Sequence, residues 1–268
     1  TQTQAASSLG QIDPGNQKAI DALVELIGNL QIDALLEWEL IGNSQGYYDT
    51  RTQAASSLGQ IGSGNQKAID ALVELIGNSL EDNSTRRQAA ESLGQIDPGN
   101  QKAINALVEL ISNSQVNNYT RWQAAESLEK IGSGNQKAID ALVELIGNSQ
   151  KDNSTRRQAA ESLGQIDPSN QKAINALVEL ISNSQVNNYT GWNYTRWQAA
   201  SSLEKIMLKE QMPSVVTALK DYLSPESYKN DFKRFDNCYE VIWKCAQSMP
   251  YPAFYQAWHQ QEKVKDGE

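Results

Sequence analysis

The chain has 268 residues, 39% of them hydrophobic and 21% charged, and a net charge of −9. Regularly spaced Leu, Ile, Val and Ala exclude a disordered polymer, and the acidic balance repels phosphate backbones, so no nucleic-acid partner is expected. No apolar run reaches the length of a membrane span, and two cysteines do not make a secreted disulfide framework; the expectation is a cytoplasmic protein with no membrane partner.

From the first residues onward one phrase recurs. "QAA" begins at Gln4, Gln53, Gln88, Gln123, Gln158 and Gln198, in steps of 49, 35, 35, 35 and 40. The unit is 35 residues, and each longer step holds a local duplication: 17–30 is copied imperfectly at 31–44, and "NYTGW" at 188–192 is followed by "NYTRW" at 193–197. Residues 61–120 and 131–190 differ only at Leu80/Gln150, Glu81/Lys151 and Gly99/Ser169, so the copied unit spans two repeats. The chain opens inside a repeat, which suggests a piece of a longer protein. Residues 1–206 hold 15 basic and 23 acidic side chains against 8 and 9 in 207–268, so the acidity lies with the repeats.

Within one unit, Asn83 and Ser84 are N-cap residues. Ala89, Ala90, Leu93 and Ile96 follow at helical spacing, predicting a first helix. "DPGN" at 97–100 stops it, because Asp97 precedes a proline and Gly99 turns the chain. Asn100 caps a second helix, whose apolar face is Ala103, Ile104, Leu107, Val108, Leu110 and Ile111. Such a hairpin buries too little by itself to offset the ordering of its chain, so neighbours must cover both flanks, as in a solenoid. Paired alanines then let first helices approach closely.

The pattern "STRRQAAESLGQI…AINALVELI" resembles the short HEAT-like repeats of the phycobilin-lyase type. The resemblance covers residues 1–223 and implies an all-α, right-handed α-solenoid of stacked hairpins, a scaffold with no cofactor. The outward positions of the second helices form trios: Gln17, Asp21, Glu25; Gln66, Asp70, Glu74; Gln101, Asn105, Glu109; Gln136, Asp140, Glu144; and Gln171, Asn175, Glu179. The resemblance implies that these line a concave groove suited to a basic or polar extended protein or peptide partner; a plain solvated helix face is the alternative. Trp122 and Trp197, preceded by Arg121 and Arg196, fall near the start of first helices beside Tyr119 and Tyr194. They read as binding hot spots or as covers over a repeat junction. Trp38 and Trp192 fall in the duplicated stretches, which are expected to bulge.

Catalytic patterns are missing. "GQIDPGNQK" at 10–18 has the spacing of a phosphate loop but puts Asn and Gln where Lys and Ser/Thr are required. One histidine, His259, supports neither a triad nor a His-rich metal site, and Cys238, Cys245 and His259 leave a tetrahedral site one ligand short, so no metal is expected. Cys238 and Cys245 on one helix lie roughly 10 Å apart along its axis, too far to bridge.

After 211–223, which reads as a degenerate last second helix, the period stops. Residues 224–268 are expected to form a helical cap: Cys238, Ile242, Cys245 and Ala246 mark one helix, "MPYP" breaks it, and "AFYQAWHQ" starts another. The run from Asn237 through Cys238 and Cys245 to His259 resembles the Cys- and His-containing segment that ends bacterial NACHT-type NTPases. That resemblance implies a sensor or autoinhibitory arm of a signalling NTPase, non-catalytic in this stretch. Two other readings are a tetrapyrrole-handling protein, with Arg86, Arg121, Tyr119 and Trp122 around a pocket, and a purely structural scaffold.

Overall fold

A computed structural model describes residues 2–37, 45–78, 81–147, 152–182 and 192–260. Trp38 lies outside these, as do 38–44 and 188–191 of the duplicated stretches and the side chains of Trp192 and Tyr194. Among the described residues there is no strand. The helices are α1 Gln2–Leu9, α2 Gln17–Glu37, α3 Gln45–Ile61, α4 Gln66–Gly77, α5 Asn83–Ile96, α6 Gln101–Ser112, α7 Asn118–Ile131, α8 Gln136–Gly147, α9 Asn153–Ile166, α10 Gln171–Ser182, α11 Trp192–Ile206, α12 Met212–Leu219, α13 Pro225–Asn230, α14 Phe232–Ser248 and α15 Tyr251–His259. No described helix is long and apolar enough to cross a membrane. The chain forms two compact units, Thr1–Leu145 and Ile146–Glu268.

In the first unit α1, α3, α5 and α7 pack one on the next, and α2, α4 and α6 form the second row, the all-α solenoid arrangement of stacked hairpins. Local chemistry sets the helix starts. Asn65 and Asn100 cap α4 and α6, each side chain accepting from the two backbone N–H groups just inside the helix. For α5 and α9 the cap lies one residue before the expected asparagine: Asp82 accepts from Ser84 and Thr85, and Asp152 from Thr155. A carboxylate in that place also suits the positive end of the helix dipole.

The recurrent alanine pairs Ala54/Ala55, Ala89/Ala90 and Ala124/Ala125 are fully buried where first helices meet. Serine and glycine interlock beside them. A Cβ on Gly59 would stand 2.7 Å from Ser92 Oγ, and one on Gly94 would stand 2.9 Å from Ser127 Cβ. The Ser57 and Ser92 hydroxyls donate to the carbonyls of Ala6 and Ala55 on the preceding first helix, at 2.9 and 2.8 Å. The hairpin turns engage the neighbour too. Gly15, Gly64 and Gly99, all at positive φ, donate their N–H to the carbonyls of Ile61, Ile96 and Ile131, the last residues of the next repeat's first helix.

In the second unit α9, α10 and α11 continue the hairpin pattern, and α12 packs against α10, α14 and α15. Helix α14 lies on α11 and α12 with Cys238, Val241, Ile242 and Cys245 buried, the Cys245 thiol 3.9 Å from Met207 Sδ. Helix α15 starts at Tyr251, two residues before the expected Ala253, with Pro252 in its first turn where a missing N–H leaves nothing unsatisfied. Helix α13 has no counterpart in the sequence reading; it is six residues long and capped by Ser224.

Candidate functional site

The second helices of the first unit present the expected outward row. Gln66, Asp70 and Glu74 on α4, Gln101 and Glu109 on α6, and Gln136, Asp140 and Glu144 on α8 are exposed, with Asn105 half-buried. Within each helix the glutamine amide donates to the residue one turn on: Gln66 to Asp70 at 2.7 Å, Gln101 to Asn105 at 2.9 Å, Gln136 to Asp140 at 2.8 Å, and in the second unit Gln171 to Asn175 at 2.9 Å. Neighbouring helices are stitched together across the row. Lys67 donates to Asp21 at 2.8 Å, Lys102 to Asp70 at 2.6 Å and Lys137 to Asn105 at 3.3 Å; Asn65 and Asn135 donate to Gln17 and Gln101.

These bonds sort the row into two parts. The Lys102 ammonium, then the Gln66 amide, holds the Asp70 carboxyl below its usual range, and Lys67 with Gln17 does the same for Asp21. Their charge is compensated from within the molecule. Glu74, Glu109 and Glu144, one turn further along, enter no ion pair among the described residues, whereas Glu179 in the second unit accepts from Arg156 at 3.1 Å. The first unit therefore presents one uncompensated glutamate per repeat, on helices that pack about 10 Å apart.

Both sequence-marked arginines lie inside the fold and are not surface groups. Arg121 is buried, donating from Nε to the Ile111 carbonyl at 3.1 Å and from Nη2 to the Asn113 carbonyl at 2.6 Å. Arg86 reaches the Asn78 carbonyl and Arg156 the Ile146 carbonyl in the same manner. A guanidinium there satisfies carbonyls that every helix C-terminus leaves without partners and complements the negative end of the dipole. Arg196 is buried as well and pairs with Asp231. The aromatic residues stay outside. Trp122 is half-buried and stacks on Tyr119, ring centroids 6.0 Å apart, while Arg87 lies 5.1 Å over the other ring, that of the exposed Tyr119. Trp197 is exposed.

A larger aromatic surface lies on the tail. Rings of Tyr228, Phe232, Phe235, Tyr239 and Trp243 touch in sequence at centroid distances of 5.2–6.5 Å. Between this ridge and Tyr251, Phe254, Tyr255 and Trp258 on α15 runs a wholly apolar groove of about 330 Å³, floored by Leu223, Ile242 and Ala246. Aromatic residues at i, i+4 were visible in the sequence, but which face the cap would bury was not. Cys238 and Cys245 sit beneath this surface, and burial pushes both thiols up to about 12. His259 is on α15 with its ring 4.2 Å from that of Tyr255. Among the described residues no three His, Cys, Asp or Glu side chains are grouped to hold a metal ion.

Known families match this arrangement in two places. The model of HEAT repeats matches residues 33–129 and 114–192, together more than half of the chain. The model described as NACHT C-terminal Cysteine and Histidine-containing matches residues 231–259, from the cap of α14 to the end of α15. No curated protein matches the chain. Solved structures include an engineered protein, 24% identical, covering 85% of this chain and 98% of its own with a TM-score of 0.45. A second engineered protein is 21% identical over 85% and 96% at 0.44. Human deoxyhypusine hydroxylase in complex with glycerol is 16% identical over 92% and 97% at 0.39. Scores of this size carry no argument about activity.

Proposed function

Because the chain belongs to the HEAT-repeat family, we propose that it is a non-catalytic protein-binding module, the sensor or autoinhibitory arm of a NACHT-like signalling NTPase in the cytoplasm. The observation that carries the reading is the segment at 231–259: it matches a NACHT-associated C-terminal family and is packed onto the last repeat helix through Arg196 and Asp231, so repeats and tail share a unit. The tetrapyrrole reading loses its arginines, since Arg86 and Arg121 are buried against backbone carbonyls and not free to hold propionates.

The partner surface we assign is the outward row of the second helices in the first unit: Gln66, Asp70, Glu74, Gln101, Asn105, Glu109, Gln136, Asp140 and Glu144; Gln171, Asn175 and Glu179 are the corresponding trio of the other unit. Its charges in the first unit that enter no ion pair among the described residues are Glu74, Glu109, Asp140 and Glu144. An extended peptide advances about 3.3 Å per residue, so a Lys or Arg at every third residue would meet one glutamate per repeat. Trp122 and Trp197 stand as secondary anchors.

The test is binding of fluorescent peptides that carry Lys at every third residue, against peptides of equal charge with the lysines clustered. The combined change of Glu74, Glu109 and Glu144 to Gln should weaken the spaced peptide roughly tenfold or more. Lys102→Ala, which uncovers Asp70, should leave binding equal or tighter. Equal affinity for both peptides, or indifference to the triple change, overturns the groove assignment.

A further inference from the structure

We propose that the aromatic face of α14 and α15 is a self-association surface that receives the same face of a second copy of this chain. Tyr228, Phe232, Tyr239, Trp243, Tyr251 and Tyr255 on this one side of the tail are each 43–75% exposed. Large aromatic side chains offer roughly 150–250 Å² each, so this face leaves on the order of 600 Å² of ring surface in water. That is at the upper end of what a soluble monomer shows as one apolar patch, and close to the ~800 Å² per partner of a stable interface. The rings are contiguous, and the groove of about 330 Å³ between the two ridges has room for a large aromatic side chain from outside.

Charge selects a second copy as the occupant. A chain with a net charge of −9 repels its own kind. The exposed charges of α14 itself, however, are Lys233, Asp236, Glu240 and Lys244, which cancel, with Glu204 of α11 beside the last two. A two-fold contact places residue i opposite j and j opposite i. Glu240 and Lys244 are equally spaced about Ile242, and Tyr239 and Trp243 about Val241. Two antiparallel α14 helices crossing at the level of Ile242 therefore set Glu240 against Lys244 of the second copy twice over, and leave Tyr239 and its Trp243 only about 3 Å out of line along the axis, twice over. A crossing at that level pairs the charges and keeps the larger rings within reach of one another.

The surface shares no residue with the glutamate row, so the proposal stands whether or not a basic peptide binds there. Sedimentation of the full chain across the micromolar range tests it, and a particle of twice the chain mass is expected. Tyr239→Ala combined with Trp243→Ala should weaken association roughly tenfold or more. Since those rings are exposed, circular dichroism and thermal unfolding of the monomer should stay as in the parent. Glu240→Lys and Lys244→Glu should each weaken it about tenfold, and the two together should restore it, a rescue that a merely structural role would not produce. A particle of single mass throughout, or a double charge exchange no tighter than either single change, overturns the proposal.

Discussion

One guanidinium nitrogen of Arg196, Nη1, donates to both carboxylate oxygens of Asp231, at 3.0 and 2.9 Å. The two residues stand 35 positions apart, and Asp231 also caps α14, accepting from the Arg234 N–H at 3.1 Å. The same side chain thus starts the tail's main helix and fastens it to the last repeat helix. Asp231→Ala removes a charge-assisted bond and a cap together and should cost about 3 kcal/mol. Asp231→Asn keeps an acceptor for the cap and should cost about half of that. Chemical denaturation followed by Trp fluorescence reads both, and equal losses would mean that only the charged pair with Arg196 matters and the cap contributes nothing.

Two glycines test the interlocked packing in opposite directions. At Gly59 a new Cβ would press on Ser92, so Gly59→Ala should destabilise by about 1–3 kcal/mol. Nothing lies within 4 Å of a Cβ at Gly28, which sits in the interior of α2, and Gly28→Ala should stabilise by about 0.5–1 kcal/mol. Thermal unfolding of the two variants should shift to opposite sides of the parent.

Glu161 and Glu81 should give stability opposite dependences on pH. Burial raises the Glu161 carboxyl, but hydrogen bonds from Ser202 and Lys205 and the charge of Arg157 outweigh it, leaving it below its usual value. Its contribution is present above the ordinary glutamate value and fades as the pH falls through its lowered one. Glu161→Gln should therefore flatten the acid limb of the melting profile and cost about 1–3 kcal/mol near neutrality. Glu81, paired with the buried Arg51 at 2.5 Å, is raised by desolvation, so its contribution is present below the ordinary value and fades as the pH climbs through the raised one. Melting temperatures of the two Gln variants from acid to neutral pH separate these slopes.

With Cys238 and Cys245 buried and their thiols pushed up to about 12, neither is a thiolate at neutral pH. Native protein should resist a thiol-reactive dye and take up two equivalents once unfolded. Rapid labelling of either cysteine in the native state would contradict the described packing of α14.

What could be read from residues alone was what repeats locally. The 35-residue spacing, the alanine pairs and the Asn100 cap follow from periodicity and helix-end chemistry, and the structure has them. The cap of α5 was off by one because Asp82 and Asn83 are neighbours and both suit the position. The six residues of α13 were missed because so short a helix has no periodicity to read. The arginines were placed wrongly for a different reason: Arg121 is a surface type by composition, and only the fold brings the carbonyls of Ile111 and Asn113 to its guanidinium. The outward row was legible as positions but not as charges. That Lys102 would neutralise Asp70, 32 residues earlier, depends on how one hairpin lies on the next.

The turn glycines carry a consequence for inheritance. Because the N–H of Gly15, Gly64 and Gly99 each meets the final helix carbonyl of the following module, each of these three modules brings one donor for its successor, which supplies the acceptor. Among these modules a whole unit can thus be gained or lost in the gene with this backbone partnership re-formed at the splice, whereas a fractional gain strands a donor. Length variation by entire 35- or 70-residue steps is the kind of change this architecture tolerates.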